Sequence, residues 1–300
     1  MTGRLLPFAV LGIAGLSWGL TIPLTKIAIA DARPVFGLIL WQLAIGSVIL
    51  GGLCVLRGRG LPFDRRSVRF YLAIAFLGTL IPNYFSYTAV GQLPAGIMSI
   101  LIAMVPLFSM PIALSLGLER PELRRIAGIA LGAAAVVLIV GPEASLPEAG
   151  QVLFVFVGLL PALFYGLEGN YIAWRGTDGL DPIQVLAGAS ISGAVVLAPV
   201  VFLGGFAVDI RPLGAPELAI LALGLCHATA YSCYVWLVGR TGAVFASLIS
   251  YVVTGSGVLW SMFLLGERYA IWVWAALGLM LLAVALVQPR PRPAEARAPG

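Results

Sequence analysis

The sequence predicts an all-α polytopic membrane protein with ten transmembrane helices, built as two inverted five-helix repeats. Three observations predict it: a composition too apolar for water, ten apolar segments of membrane-spanning length, and an internal repeat. Hydrophobic residues make up 60% of the 300 residues and charged residues only 10%, with a mean hydropathy of +1.02. Soluble domains carry about 25% charged residues, so we expect lipid to surround most of this chain.

The predicted spans are separated by Pro, Gly and charged residues. A helix needs roughly 20 mainly apolar residues to cross about 30 Å of hydrocarbon. The first span runs through Trp18, Pro23 and Lys26 without a small-residue cleavage site, which favours a retained helix over a signal peptide. The ten spans cover residues 5–29, 35–56, 68–91, 95–117, 124–141, 150–174, 182–204, 216–239, 243–265 and 270–288.

The basic residues give an independent test of these spans. Loops on the cytoplasmic side of a membrane are enriched in Lys and Arg. The side that holds the termini carries Arg4, Arg57, Arg59, Arg65, Arg66, Arg69, Arg120, Arg124, Arg125, Arg175, Arg240, Arg290, Arg292 and Arg297. The other side carries only Lys26, Arg33, Arg211 and Arg268. The asymmetry predicts ten spans with both termini in the cytoplasm.

Several function classes are disfavoured by composition. The formal charge of +5 is spread over loops rather than over one soluble face, so no nucleic-acid partner is expected. With His227 as the single histidine, an HExxH zinc site is excluded, and no CxxC pair or GxSxG motif occurs. Lys26 is the single lysine and follows no Gly-rich phosphate loop. We expect no catalytic residues, no metal and no cofactor.

An internal repeat becomes visible when the sequence is shifted by about 147 positions. The matched pairs are Leu16 with Leu163, Trp18 with Tyr165, Gly19 with Gly166, Tyr84 with Tyr231, Tyr87 with Tyr234, Ala95 with Ala243, Ser99 with Ser247, Leu116 with Leu264, and Glu119 with Glu267. The predicted first repeat is 1–147 and the second is 148–288, followed by a disordered cytoplasmic tail, 289–300. Because each repeat has five spans, the second enters the membrane from the opposite side, an arrangement typical of transporters.

The chain resembles the drug/metabolite transporter superfamily, in particular its ten-helix members with two EamA-type repeats. The matching features are Trp18-Gly19 and Tyr165-Gly166 in the first helices, and the fourth helices that end in Gly-Leu-Glu-Arg (117–120) and Gly-Glu-Arg (266–268). The resemblance implies export of amino acids or related metabolites across the bacterial inner membrane. It also implies a central cavity lined by the first, third and fourth helices of each repeat.

Helical spacing gives the candidate residues of this cavity. The third helices present Leu80, Tyr84 and Tyr87 in one repeat and His227, Tyr231 and Tyr234 in the other. A phenol can bond an ammonium or carboxylate while its ring packs on apolar groups, although these tyrosines could instead belong to the headgroup belt. The first helices add Trp18, Thr21 and Thr25, matched by Tyr165, Glu168 and Ile172, and the fourth helices add Ser99, Ser247 and Tyr251.

Glu168 is the most informative of these residues. It is the one carboxylate of thirteen that lies well inside a predicted span, and a charge at that depth is costly enough to indicate function. It would act as counter-charge for a substrate ammonium or as a proton carrier. His227 could also carry a proton, or it could be a structural histidine bonded to a hydroxyl or a backbone carbonyl. Alternatively, Glu168 reaches toward Arg175 at the membrane surface. Lys26 is expected to extend to the opposite surface, with binding of a substrate carboxylate as the alternative.

The composition of the candidate cavity leaves two transported classes open. Amino acids, including aromatic or other large neutral ones, fit a lining of aromatic and hydroxyl groups. A lipid or lipid-linked substrate is the alternative. The expected partners are therefore a small-molecule substrate and membrane lipids. Gly128 and Gly132 allow close packing of the fifth helix within the chain or in a homodimer, so monomer and homodimer both stay open. Pro23, Pro82, Pro106, Pro111 and Pro161 are predicted hinges.

Overall fold

The computed structural model describes residues 2–141, 149–211, 213–241, 243–246 and 248–288. All ten predicted spans are helical within these residues, and the regular secondary structure described is entirely helical. The helices are α1 (Thr2–Ala28), α2 (Val35–Leu56), α3 (Arg65–Gln92), α4 (Ala95–Ile102 and Val105–Ser115), α5 (Leu123–Val140), α6 (Val152–Arg175), α7 (Pro182–Leu203), α8 (Ala215–Thr241), α9 (Ala243–Ala246 and Ile249–Leu265) and α10 (Ile271–Val287).

The helix lengths agree with a membrane protein. Eight of the described helices are at least 18 residues long and apolar enough to span a bilayer, while Ile249–Leu265 and Ile271–Val287 are shorter apolar helices. Because the helices alternate in direction, α1 begins and α10 ends on one side, here called the terminal side; the other is the distal side. The predicted tail, 289–300, lies outside the described residues.

The packing of the helices reveals the relation between the two halves. The helix α1 packs against α8 and α9, and its counterpart α6 packs against α3 and α4. Likewise α3 packs against α7, and α8 packs against α2. The pairs α2 with α7, α4 with α9, and α5 with α10 join each helix to its own counterpart. Exchanging the halves therefore reproduces the same contacts, as two inverted five-helix repeats require.

Two of the predicted proline sites coincide with irregular helix. A π-helical turn, Phe76–Leu80, interrupts α3 immediately before Pro82. Proline has no N–H for the carbonyl four residues earlier, which here belongs to Gly78, so regular α-helical bonding stops. In α4 the break at Ala103 and Met104 precedes Pro106, which occupies the first turn of the next segment.

Small residues bring several helices close together. A β-carbon at Gly128 would lie 2.9 Å from the Ala283 carbonyl oxygen of α10, and one at Gly132 would overlap Leu107 of α4. Both glycines thus serve packing within the chain, one of the two alternatives that the sequence leaves open. At Gly19 of α1, a β-carbon would overlap the Ser256 hydroxyl of α9.

We expect Gly19→Val to lower the free energy of unfolding by about 1–3 kcal/mol, the usual cost of overpacking a close helix contact. A β-carbon at this position would also lie 2.9 Å from the Gly257 amide nitrogen, which is backbone and cannot turn away. Thermal unfolding of the purified protein, followed by tryptophan fluorescence, measures the effect. Gly12→Val on the same helix is the control, because no neighbouring atom lies within 4 Å of its added β-carbon. Equal effects of both changes would contradict the close contact.

Candidate functional site

A small polar cavity lies among α1, α3, α4, α6 and α8, beside the middle of α6 and α8. It combines hydroxyl, phenol, amide and imidazole groups with a few aliphatic side chains. Its lining residues are Thr21, Ile22, Thr25, Asn83, Ser86, Tyr87, Val90, Ile102, Tyr165 and His227. Residues of both repeats therefore meet at one point, as expected for a transporter site at the repeat interface.

Hydrogen bonds tie this lining together without any charged group. The Gln42 side-chain oxygen on α2 accepts hydrogen bonds from Asn83 Nδ2, at 2.9 Å, and from the Tyr87 hydroxyl. The Tyr165 hydroxyl donates to Asn83 Oδ1 at 3.3 Å, which connects α6 to the same network. Thr21 and Thr25 instead donate to carbonyls of their own helix, Trp18 at 2.6 Å and Thr21 at 2.8 Å. Each phenol donates its single hydrogen within this network, so a polar ligand can accept from Tyr87 or Tyr165 only by replacing Gln42 or Asn83 as the acceptor.

The volume of the cavity bears on how it could work. It measures about 50 Å³, whereas small-molecule sites usually occupy about 300–1,000 Å³. A water molecule needs about 10–15 Å³ of such space, so a few waters fit and a metabolite does not. Binding a metabolite here therefore requires the helices of the two repeats to move apart.

Glu168 lies one helical turn from Tyr165 on α6, toward the terminal side of the cavity. Its carboxylate rests against Gly78 in the π-helical turn of α3, where any β-carbon would collide with it. It is close enough to Tyr165 and Tyr231 to interact electrostatically with both phenols. Within the described residues Glu168 has no hydrogen bond or ion pair. Inside a membrane, a carboxylate in this position either carries a proton or holds a cation.

The alternative partner for Glu168 offered by the sequence is engaged elsewhere. Arg175 Nη1 lies 3.0 Å from Asp178 Oδ2, and its guanidinium stacks 4.5 Å above the Phe70 ring. The expectation that Glu168 reaches toward Arg175 is therefore not met. Because Gly78 lacks a side chain, the carboxylate can approach α3 directly instead.

An aromatic cluster lies on the terminal side of the cavity. Trp18 of α1 contacts Tyr231 edge to face, with ring centroids 5.7 Å apart, and Tyr234 at 5.9 Å. The two tyrosine rings of α8 are themselves 6.0 Å apart. These three residues, all predicted from the repeat, are brought together, but they do not line the cavity itself. They form an apolar layer between the cavity and the terminal side.

The structure separates Tyr84 from Tyr87, which the sequence predicted to share one helix face with Leu80. Tyr87 is buried at the cavity, whereas Tyr84 is 39% exposed and stacks on Phe36 at 5.4 Å. The prediction that Tyr84 shares the cavity face is therefore wrong. On this helix the cavity face runs from Asn83 to Tyr87, four residues apart, and Tyr84 is rotated by about 100° from Asn83.

The two fourth-helix candidates that the structure describes, Ser99 and Tyr251, are not among the lining residues of the cavity. The Ser99 hydroxyl is buried and donates to the Ala95 carbonyl of its own helix at 3.1 Å. Tyr251 is half-buried against the main apolar core. Ser247 lies outside the described residues. Of the predicted candidates, the cavity lining itself includes Thr21, Thr25, Tyr87, Tyr165 and His227.

A second polar cluster closes the distal side. Lys26 Nζ donates to the Leu93 carbonyl at 2.7 Å and to Glu267 Oε1 at 3.1 Å. The Glu267 carboxylate also accepts from the backbone N–H groups of Ala95 and Gly96, at 2.9 and 3.2 Å, and from the Tyr269 hydroxyl. Lys26 is thus paired between the repeats, not extended to the membrane surface as the sequence suggested. Arg33 and Glu217 form another ion pair on this side.

The terminal side is bridged by different ion pairs. Arg57 lies 3.3 Å from Asp181, and Arg66 lies 2.7 Å from Asp178, so the α2–α3 connection is tied to the α6–α7 connection. Both sides of the cavity therefore carry charge pairs that cross between the repeats. Opening either side requires its own set to separate.

Comparison with known proteins identifies the architecture. The sequence profile of the EamA-like transporter family matches residues 7–141 and again residues 152–288. The chain belongs to the EamA-like transporter family. It is accordingly a membrane transporter, and the family resemblance inferred from Trp18-Gly19 and Tyr165-Gly166 is confirmed.

Relatives of this EamA-like transporter give no substrate. The chain is 28% identical over 282 residues to the "Uncharacterized inner membrane transporter YedA" of Escherichia coli K12, covering 91% of this chain and 88% of the relative. The YedA proteins of E. coli CFT073 and O157:H7 match equally. A solved structure described as "Crystal structure of protein" aligns with a TM-score of 0.63 at 20% identity, over 92% of this chain and 95% of that one. At that identity it supports the fold alone.

The two EamA repeats differ at their matching glutamates. Glu267 joins Lys26 and the start of α4, whereas Glu119 lies 3.0 Å from Arg125, only six residues along the chain. The interior differs as well, since Glu168 and His227 occupy positions that hold Thr21 and Leu80 in the first repeat. The transporter therefore combines a symmetric helix arrangement with asymmetric charges.

Sequence reasoning missed three polar residues of this EamA-like transporter. Asn83 and Ser86 line the cavity, and Gln42 bonds two of the lining side chains. Each is a polar residue inside an apolar span, which was a usable signal. Among the described residues, no group of three or more His, Cys, Asp or Glu is arranged to bind a metal.

Proposed function

We propose that this transporter exports amino acids, with large neutral or aromatic ones favoured, by alternating access through the central cavity. The observation that carries the proposal is Glu168, a carboxylate without a partner among the described residues, located next to a cavity of neutral hydrogen-bonding groups. An amino acid brings an ammonium group that suits this carboxylate. Its own carboxylate suits the second Nδ2 hydrogen of Asn83, and it suits the Tyr87 and Tyr165 hydroxyls once it replaces their present acceptors, Gln42 and Asn83.

The surrounding aromatic groups favour a substrate with a large side chain. Trp18, Tyr231 and Tyr234 present ring surface just beyond Glu168. A substrate with an apolar or aromatic side chain would pack there while its ammonium remains beside the carboxylate. The lining contains no Lys or Arg, which disfavours sugar phosphates and nucleotide sugars as substrates.

The proposal places the protein in the bacterial inner membrane with both termini in the cytoplasm. The excess of arginines on the terminal side supports this orientation. The name of the E. coli relative, an inner membrane transporter, supports the membrane assignment. In this orientation the Lys26–Glu267 pair closes the periplasmic side, and the pairs of Asp178 and Asp181 close the cytoplasmic side.

The test is uptake of labelled Phe, Met and Thr into proteoliposomes, with and without a pH gradient. We expect saturable uptake of Phe and Met without a pH gradient. Under the proposal Glu168 is a ligand of the substrate ammonium, so transport does not depend on a flux of protons. Protein-free liposomes give the background rate. If no amino acid is transported by protein that still shows a cooperative unfolding transition, the amino-acid proposal is wrong. Lipid-linked or sugar substrates would then be examined.

A further inference from the structure

A cleft lies on the terminal side, between the start of α3 and the end of α6. Its volume of about 420 Å³ falls in the range of small-molecule sites, about 300–1,000 Å³. Four arginines and two aromatic rings form its walls. The lining residues are Arg65, Arg66, Arg69, Phe70, Tyr171 and Arg175.

The charges of this cleft are not balanced. Asp178 binds both Arg66, at 2.7 Å, and Arg175, at 3.0 Å. Within the described chain, neither Arg65 nor Arg69 forms an ion pair. One carboxylate is thus shared by two of four guanidinium groups, which leaves a net positive cleft.

The carboxylate of Asp64, which precedes the cleft arginines in the sequence, is already hydrogen-bonded to the first turn of α3. Asp64 accepts hydrogen bonds from the Ser67 hydroxyl at 2.7 Å and from the amide nitrogens of Arg66 and Ser67. These bonds, that of the Ser67 hydroxyl first, lower the pKa of Asp64 below its ordinary value. The group therefore stays charged at neutral pH and caps α3. It does not turn toward Arg65 or Arg69.

One wall of the cleft is held rigidly. The Phe70 side chain is buried, with 1% of its surface exposed, and the Arg175 guanidinium stacks on its ring at 4.5 Å. The Tyr171 ring lies 6.1 Å from the Phe70 ring. Stacking fixes the plane of the guanidinium, and a fixed guanidinium binds phosphate oxygens through two parallel hydrogen bonds.

We propose that this cleft is a binding site for a phosphate group, carried either by an anionic lipid headgroup or by a small soluble phosphate. The cleft lies at the ends of two membrane helices, at the depth of lipid headgroups. Its arginines come from α3 in the first repeat and α6 in the second, so a bound phosphate bridges the repeats. The same two helices meet further in at Gly78 and Glu168, so phosphate binding holds the terminal side closed.

The test measures binding directly and does not depend on the transported substrate. Native mass spectrometry of the detergent-purified protein counts retained phosphatidylglycerol, with zwitterionic phosphatidylcholine, whose choline cation offsets its phosphate, as the comparison without net charge. In a second arm, inorganic phosphate and glycerol phosphate are titrated while the thermal unfolding midpoint is followed. The variants are Arg69→Gln and Arg175→Gln. Arg59→Gln is the matched control, because Arg59 is exposed on the same side and outside the cleft.

We expect one tightly retained phosphate-bearing ligand, with affinity about tenfold lower in Arg69→Gln and Arg175→Gln and unchanged in Arg59→Gln. Retention of phosphatidylglycerol alone identifies a lipid headgroup, whereas stabilisation by soluble phosphate identifies a soluble ligand. Arg69→Lys, which keeps the charge but loses paired donors, should fall between wild type and Arg69→Gln. Equal loss in Arg59→Gln, or no preference for phosphatidylglycerol or soluble phosphate over phosphatidylcholine, would overturn the proposal.

Discussion

Under the proposed function, replacing Glu168 by Gln is expected to reduce amino-acid transport by about 30-fold or more. Glutamine keeps the size of the side chain over Gly78 but removes the negative charge. Losing one partner of a charge pair inside a protein costs about 2 kcal/mol or more, which corresponds to about 30-fold in affinity. The initial rate of Phe uptake into proteoliposomes, measured below saturation, gives the effect.

Two further measurements separate an ammonium ligand from a proton carrier. An ammonium ligand should distinguish Phe from its hydroxy-acid analogue, which lacks the amine, and Glu168→Gln should lose that preference. A proton carrier would instead lose the response to a pH gradient and keep the preference. Glu122→Gln is the control, because Glu122 is exposed and lies between the membrane helices α4 and α5. If Glu168→Gln transports Phe at the wild-type rate, the assignment of Glu168 to the substrate is refuted.

Replacing Glu267 by Ala is expected to lower the free energy of unfolding by about 3 kcal/mol, since it breaks a largely buried charge pair. The Lys26 side chain is 31% exposed and that of Glu267 only 13%. The change leaves the Lys26 ammonium without its anion and removes the shared acceptor of the Ala95 and Gly96 amide groups. Thermal unfolding in detergent measures the loss.

The double variant Lys26→Met with Glu267→Ala tests how the stability arises. Because removing both charges avoids an unpaired ammonium, the double variant should recover part of the loss. Tyr269 contributes to the same cluster by donating a hydrogen bond to Glu267. Burial, together with this hydrogen bond, raises the pKa of the Tyr269 hydroxyl. The hydroxyl therefore stays protonated and remains a donor. A single Glu267→Ala variant as stable as wild type would show that this cluster does not hold the distal side.

The two expected effects describe complementary parts of one transport cycle. Under the proposed function, Glu168 acts where the substrate is held, while Glu267 acts where the repeats are joined on the distal side. Because the cavity of about 50 Å³ is too small for a metabolite, substrate entry must separate one set of inter-repeat ion pairs. Weakening the Lys26–Glu267 pair should therefore favour distal opening, whereas Glu168→Gln should leave opening intact and impair substrate binding.

The ten helices and the inverted repeat could be predicted from the sequence alone. Span length depends on local hydrophobicity and chain length, and both can be counted without knowledge of tertiary contacts. The repeat was detectable because aromatic-Gly pairs such as Trp18-Gly19 and Tyr165-Gly166 recur at a constant offset. Glu168 was also apparent, since a carboxylate within an apolar span has few structural explanations.

The details of the site required the tertiary structure. Sequence spacing grouped Tyr84 with Tyr87, but the cavity face begins at Asn83, because contacts with α2 and α6 decide which face is buried. The sequence also could not pair Lys26 with Glu267, which lie 241 residues apart and meet through packing of the two repeats. The local sequence thus determines which segments form membrane helices. The partners of each charged group arise only when distant helices come into contact.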